Sequence, residues 1–247
     1  MKHRLCVWLS VAVLATAAPA VSHAQSFQGL GFLPQLNSSK ALGVSADGKV
    51  VVGVSTSASG QQAFRWTAAT GMVGLGFLPG DQASQAQGVS ADGSVVVGTS
   101  LNQPSGLNFQ AFRWTQATGM VGLGFLSGDL ASQAFGVNAD GSVVVGASKG
   151  SSSTQAFRWT QATGMVGLGF LPGGSFSEAR GVNANGGSVV VGDAFQQGFV
   201  GIQGFVWTAS TGMGSIGCIA AHGCGNVSTT AFGVNADGSV VVGETGP

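Results

Sequence analysis

Few side chains in this sequence could do chemistry, and their spacing limits what that chemistry is. Residues 218–224 read Cys218-Ile-Ala-Ala-His222-Gly-Cys224, placing two thiols around one imidazole. In an oxidising compartment this spacing most simply gives a local Cys218–Cys224 disulfide; the alternative is a metal site, which lacks a fourth ligand nearby. Carboxylates are scattered. Glu178 and Glu244 stand in different parts of the chain, and Asp81, Asp129 and Asp193 are isolated from one another. A pair of them could serve glycoside hydrolysis only if the fold brought them together. No tyrosine occurs, and outside the N-terminal segment the sole histidine is His222. The expectation is a noncatalytic chain with no metal and no cofactor.

Other chemical suspects recur, and recurrence argues for scaffold. Asp47, Asp92, Asp140 and Asp237 each stand alone in Ala-Asp-Gly, without the alternating carboxylates of a calcium loop, and Asn185 replaces one of them. The segment GLGFLPG at 74–80 has the glycine content of a phosphate loop but no helix start after it. Arg65, Arg113 and Arg158 each precede a tryptophan, Trp66, Trp114 and Trp159. A ring of arginines could hold an acidic ligand. Val206 interrupts the ring, so pairing or stacking with a neighbouring repeat is the favoured role, and the tryptophans are expected in the core.

The elements that position these residues are repeats. GVSADGKVVVG at 43–53 returns at 88–98, 136–146, 181–192 and 233–243. AFRWT follows at 63–67, 111–115 and 156–160, with GFVWT at 204–208, and then GLGFL at 74–78, 122–126 and 167–171. A period near 45 residues denotes one supersecondary unit per repeat. In the second unit, strands are expected at 86–91, 94–100, 110–115 and 120–126. Asp92-Gly93 would form a primed hairpin turn, and Gly76 and Gly98 would allow close sheet-to-sheet approach. The predicted fold is all-β: a propeller-like array of four-stranded antiparallel blades, units about 41–78, 86–126, 134–171 and 179–218. A split, incomplete fifth would pair 231–243 with 29–33. A parallel β-helix competes, but it would not need a hairpin in every repeat.

Taken together, GVxADGxVVVG, AFRWT and GMVGLGFLxG over residues 29–243 resemble the HAF-type extracellular repeat of bacterial secreted and surface proteins. The family tripeptide is His-Ala-Phe, where this chain has Gln62-Ala63-Phe64, Gln110-Ala111-Phe112 and Gln155-Ala156-Phe157. The resemblance implies an extracellular, propeller-like domain and no established reaction.

The ends and the charge agree with export. Lys2, His3 and Arg4 precede an apolar run from Leu5 to Ala18, and Ser22-His23-Ala24 offers a cleavage site before Gln25. Residues 1–24 are therefore expected to be a signal peptide and 25–247 a single repeat domain, secreted, surface-bound or periplasmic, without a transmembrane segment. Loss of Lys2 and Arg4 leaves seven cations against nine carboxylates, about −2. With no basic stripe, nucleic acid is not an expected partner.

Function should sit where the copies differ. The distance from the glycine of VVVG to the phenylalanine of AFRWT is 11, 14, 11 and 13 residues in successive units, and the last inter-unit connection lengthens at 219–230. Both variable connections leave an up-and-down blade at the same end. The candidate ligand face comprises Asn102, Asn108 and Phe109 in 99–110, Phe195, Phe199 and Gln203 in 193–203, and His222. The expected partner is an extracellular protein or glycan; a ligand-free spacer or a passenger fragment of a larger surface protein is the alternative, and a propeller hydrolase or lyase comes third.

Overall fold

The structure is a computed structural model that describes residues 27–58, 60–102, 109–198, 201–217 and 227–246. Residues 1–24, Asn108, Phe199, Cys218, His222 and Cys224 lie outside the described residues.

Among the described residues there are strands and no helix. Each full repeat is one antiparallel sheet whose strands pair in chain order. Blade 1 holds β1 (Ser38–Val44), β2 (Val50–Ser57), β3 (Gly60–Thr67) and β4 (Gly71–Gly74). Blade 2 holds β5 (Ala83–Val89), β6 (Val95–Leu101), β7 (Phe109–Thr115) and β8 (Gly119–Gly122). Blade 3 holds β9 (Ala131–Val137), β10 (Val143–Lys149), β11 (Thr154–Thr160) and β12 (Gly164–Gly167). Blade 4 holds β13 (Ser177–Val182), β14 (Val189–Phe195), β15 (Ile202–Thr208) and β16 (Gly212–Ser215). A last sheet contains β17 (Ser228–Val234) and β18 (Val241–Gly246). The first strands of successive sheets pack on one another, β1 on β5, β5 on β9, β9 on β13 and β13 on β17. They form the inner edge of the array, and the short fourth strands form the outer edge.

The core lies between blades. Alternation along AFRWT sends Phe112 toward blade 1, where it packs with Val52, Ala63 and Val96. Its neighbour Ala111 faces blade 3 and packs with Val97, Val144 and Phe157. Each repeat thus gives one large side chain backward and a small one forward, and the valine run of β6 is buried on both faces. Phe64, Phe112, Phe157 and Phe205 are fully buried.

Four expectations change. The fourth strand is shorter than 120–126, because Gly124 adopts φ +78 and turns the chain away after Gly122. The rest of GLGFL becomes a connector laid on the next blade: Ser84 Oγ donates to the Gly76 carbonyl at 2.7 Å, and Leu78 N donates to Ser100 Oγ at 3.0 Å. For the same reason 29–33 is not a strand of a split fifth blade. It lies against blade 1, with Ser39 Oγ donating to the Gly31 carbonyl at 2.8 Å and Leu33 N to Ser55 Oγ at 3.2 Å. The final sheet has two strands and no partner from residues 29–33.

The Asp-Gly turns are not primed turns. Only the glycine has positive φ, +72 at Gly93, and Gly93 N donates to the Ser90 carbonyl at 3.0 Å. Asp92 keeps negative φ and acts as an acceptor, its Oδ1 receiving Ser94 N at 3.0 Å and Ser90 Oγ at 2.7 Å. The strand glycines also act otherwise than expected. Gly98 faces a β-bulge in its own blade, where a Cβ would run into the Gln85 carbonyl, while Gly76 stands outside any strand. The close approach between sheets occurs at Gly88 instead, whose Cβ would sit 3.4 Å from the Phe135 carbonyl.

Candidate functional site

The two variable connections do share one end of the blades. Leu130 N, entering β9, donates to the Lys149 carbonyl at the end of β10 at 3.0 Å, and Gln82 N donates to the Leu101 carbonyl at 3.2 Å. In blade 4, Phe195 N donates to the Phe176 carbonyl at 2.9 Å and Gln197 N to the Pro172 carbonyl at 3.2 Å. The opposite end carries the uniform turns. These join blade to blade through Ala46 N to the Ala91 carbonyl at 3.0 Å and Ala91 N to the Ala139 carbonyl at 2.9 Å.

Of the residues expected at the variable end, Asn102 follows β6 directly and Phe109 begins β7 opposite Leu101, half-buried. Phe195 closes β14 and is 39% exposed. Gln203 differs from the expectation. It is buried, its Nε2 donating to the Val227 carbonyl at 3.2 Å, so it ties β15 to the last sheet instead of meeting solvent. The span 193–203 also contains strand residues, and the connection itself is 196–201.

The sequence reading missed a cluster at this end of blade 4. Glu178 on β13 lies directly opposite Asp193 on β14. Arg180, two residues along β13, points its guanidinium at both. Its Nε donates to Asp193 Oδ1, and its terminal nitrogen donates to Asp193 Oδ2 at 3.3 Å and to Glu178 Oε2 at 3.2 Å. The guanidinium carbon sits 5.9 Å from the centroid of the Phe135 ring of blade 3. The Asp193 side chain is only 1% exposed, and that of Arg180 is 35% exposed.

The electrostatics follow from this packing. Burial pushes the Glu178 carboxyl above its usual range, against the pull of Arg180, and the Asp193 charge adds to the rise. Burial works to lower the Arg180 pKa, but the hydrogen bond and charge of Asp193, with Glu178, outweigh it and raise it. The cluster is therefore two carboxylates bridged by one firmly charged guanidinium.

In blades 2 and 3 the corresponding positions are uncharged: Gln85 and Gln133 for Glu178, Gln87 and Phe135 for Arg180, Thr99 and Ala147 for Asp193. Blade 1 has Lys40 at the Glu178 position and the last sheet Glu244 at the Asp193 position, each without the other two charges. Three coordinated departures in one blade were the available signal. They went unrecognised because β13 and β14 positions had to be paired before Glu178 and Asp193 became neighbours. Among the described residues no group of three or more His, Cys, Asp or Glu side chains is placed to hold a metal ion.

The recurrent arginines have a different job. Arg65 Nε donates to the Gly93 carbonyl at 3.2 Å, Arg113 Nε to Gly141 at 3.2 Å, and Arg158 Nε to Gly187 at 3.0 Å. Each caps the hairpin of the following blade through a backbone carbonyl, not through its Asp.

No protein-family model matches the chain, and no curated protein matches it. Solved structures do match its fold. TolB from Acinetobacter baumannii superposes with TM-score 0.55 at 16% identity, covering 78% of this chain and 48% of TolB. A putative TolB from Agrobacterium tumefaciens gives 0.58 at 13% identity, with 84% and 70% covered. The fold is a β-propeller. A structure from a study of two prolyl endopeptidases gives 0.56 at 12% identity, covering 80% of this chain and 30% of the other. This propeller chain thus spans about half of the Acinetobacter protein, and at these identities the likeness concerns architecture alone. No helix among the described residues is long and apolar enough to cross a membrane.

Proposed function

We propose that this chain is an exported, noncatalytic binding module built of HAF-type repeats, which meets an extracellular protein or glycan at the variable end of blade 4. One observation carries the reading. The charged departures Glu178, Arg180 and Asp193 gather on the inner strands at the same end as the 196–201 connection and Phe195. The recurrent Ser, Asp and Arg side chains are by contrast engaged in turns and blade junctions. A buried ion cluster costs desolvation and adds little net stability, so its presence in one blade only favours a role beyond folding. The basic and apolar N-terminal segment supports export.

The test is a loop graft. Residues 150–153 of blade 3 replace residues 196–201, leaving the flanking strands intact, and binding is measured on an array of extracellular glycans and proteins. Loss of a wild-type ligand with an unchanged urea midpoint supports the reading; full retention of every wild-type ligand refutes it.

A further inference from the structure

The turn end of blade 2 holds a cavity of about 570 Å³ that the scaffold role leaves unexplained. It is bounded by Arg65 of blade 1, by Asp92, Arg113, Trp114 and Gln116 of blade 2, and by Asp140 of blade 3. The volume falls within the roughly 300–1,000 Å³ typical of small-ligand sites.

The lining groups are fixed but not saturated. Arg65 and Arg113 are each anchored through Nε to a backbone carbonyl, and their terminal nitrogens have no partner among the described residues. Asp92 is held through Oδ1 by Ser90 and Ser94, and its Oδ2 has no hydrogen-bond partner among the described residues. Asp140 is held through Oδ1 by the Ser142 amide, with the Ser142 and Asn138 side chains beside its carboxyl. These turn bonds keep Asp92 ionised, with a pKa lowered to about 2 by the Ser90 hydroxyl and by Ser94. One part of Trp114 packs on the core between blades 1 and 2, and its indole N–H has no partner among the described residues. The positions of these side chains are thus set before any ligand arrives, which limits the ordering cost of binding.

The charges decide the ligand class. Two guanidiniums and two carboxylates cancel, so an anionic ligand gains from Arg65 and Arg113 what it loses to Asp92 and Asp140. A ring bearing vicinal hydroxyls uses both sets, because each hydroxyl donates to a carboxylate oxygen and accepts from a guanidinium. Trp114 adds an apolar face for the C–H side of such a ring. We infer that this cavity binds a short neutral oligosaccharide. The site is distinct from the blade 4 rim, which lies at the opposite end of the blades.

Isothermal titration of the full chain with neutral gluco-, manno-, galacto- and chito-oligosaccharides tests this, with an oligogalacturonide and an acidic peptide as charged probes. The expected result is that at least one neutral oligosaccharide binds more tightly than either charged probe. Trp114→Phe and Gln116→Ala should each weaken it about tenfold, a loss on the scale of one hydrogen bond or stacking contact. Trp207→Phe, in the blade where Val206 replaces the arginine, should leave it unchanged, as should the 150–153 graft at the other end. If Trp114→Phe fails to fold, Gln116→Ala with Arg113→Lys carries the test. The inference is overturned if no neutral oligosaccharide binds, if a charged probe binds better, if the cavity variants bind normally, or if Trp207→Phe weakens binding equally.

Discussion

Asp47 and Asp92 do their work as ionised acceptors inside their own turns. Asp47 is drawn down to about 2, first by the Lys49 amide and then by the Ser45 hydroxyl; Asp92 reaches about 2 through Ser90 and Ser94. A carboxyl lowered in the folded state stabilises above its unfolded pKa of 3.8 and loses that contribution as pH falls toward 2. Carboxyl carbon NMR should therefore give both groups midpoints near 2. Asp92→Asn should flatten the fall in urea stability across that window, since Asn185 already fills the equivalent turn without charge. A second residue-scale prediction concerns Ser84, which is fully buried. Its hydroxyl accepts from Ala63 N of blade 1 at 3.0 Å and donates to the Gly76 carbonyl at 2.7 Å. Ser84→Ala strands both groups and should cost about 1–3 kcal/mol in urea unfolding. Ser132 and Ser177 make the same pair of bonds. The sequence displayed these serines in register, but nothing local marked them as bridges, because their partners belong to the preceding blade and its connector.

The four-strand unit was legible because alternation, the Asp-Gly turn and the valine run are short-range signals. Strand ends were not: Gly124 has to be seen in its left-handed φ before GLGFL separates into a short strand and a connector. Gly98 offers a test at this scale. Its missing Cβ makes room for the Gln85 carbonyl at the bulge, so Gly98→Ala should cost more than about 2 kcal/mol, whereas Gly29, with open space around it, should tolerate alanine. The β13–β14 pair offers another. Arg180→Ala would leave the buried Asp193 carboxyl without its guanidinium partner, a loss of roughly 3 kcal/mol, at the low end for a broken buried pair because the arginine is partly exposed. Reverting the whole cluster to the blade 3 residues, Glu178→Gln with Arg180→Phe and Asp193→Ala, should be neutral or stabilising in the same urea measurement.

Over the whole molecule, stability comes from junctions and specificity from departures. Inner strands pack on inner strands, turn alanines bond across blades, and arginines cap the next hairpin, so each repeat needs its neighbour. Those couplings recur from blade to blade, which is why the architecture could be inferred from the repeat alone. The blade 4 rim could not, since its meaning lies in three substitutions that only the folded register brings together. The triple reversion tests this division most directly. The full chain and the Glu178→Gln, Arg180→Phe, Asp193→Ala variant are compared on one array of extracellular glycans and proteins, at equal urea midpoints. The account predicts that a wild-type ligand is lost by the variant. A variant that keeps every wild-type ligand at unchanged affinity, or a wild-type chain that binds nothing on the array, contradicts it.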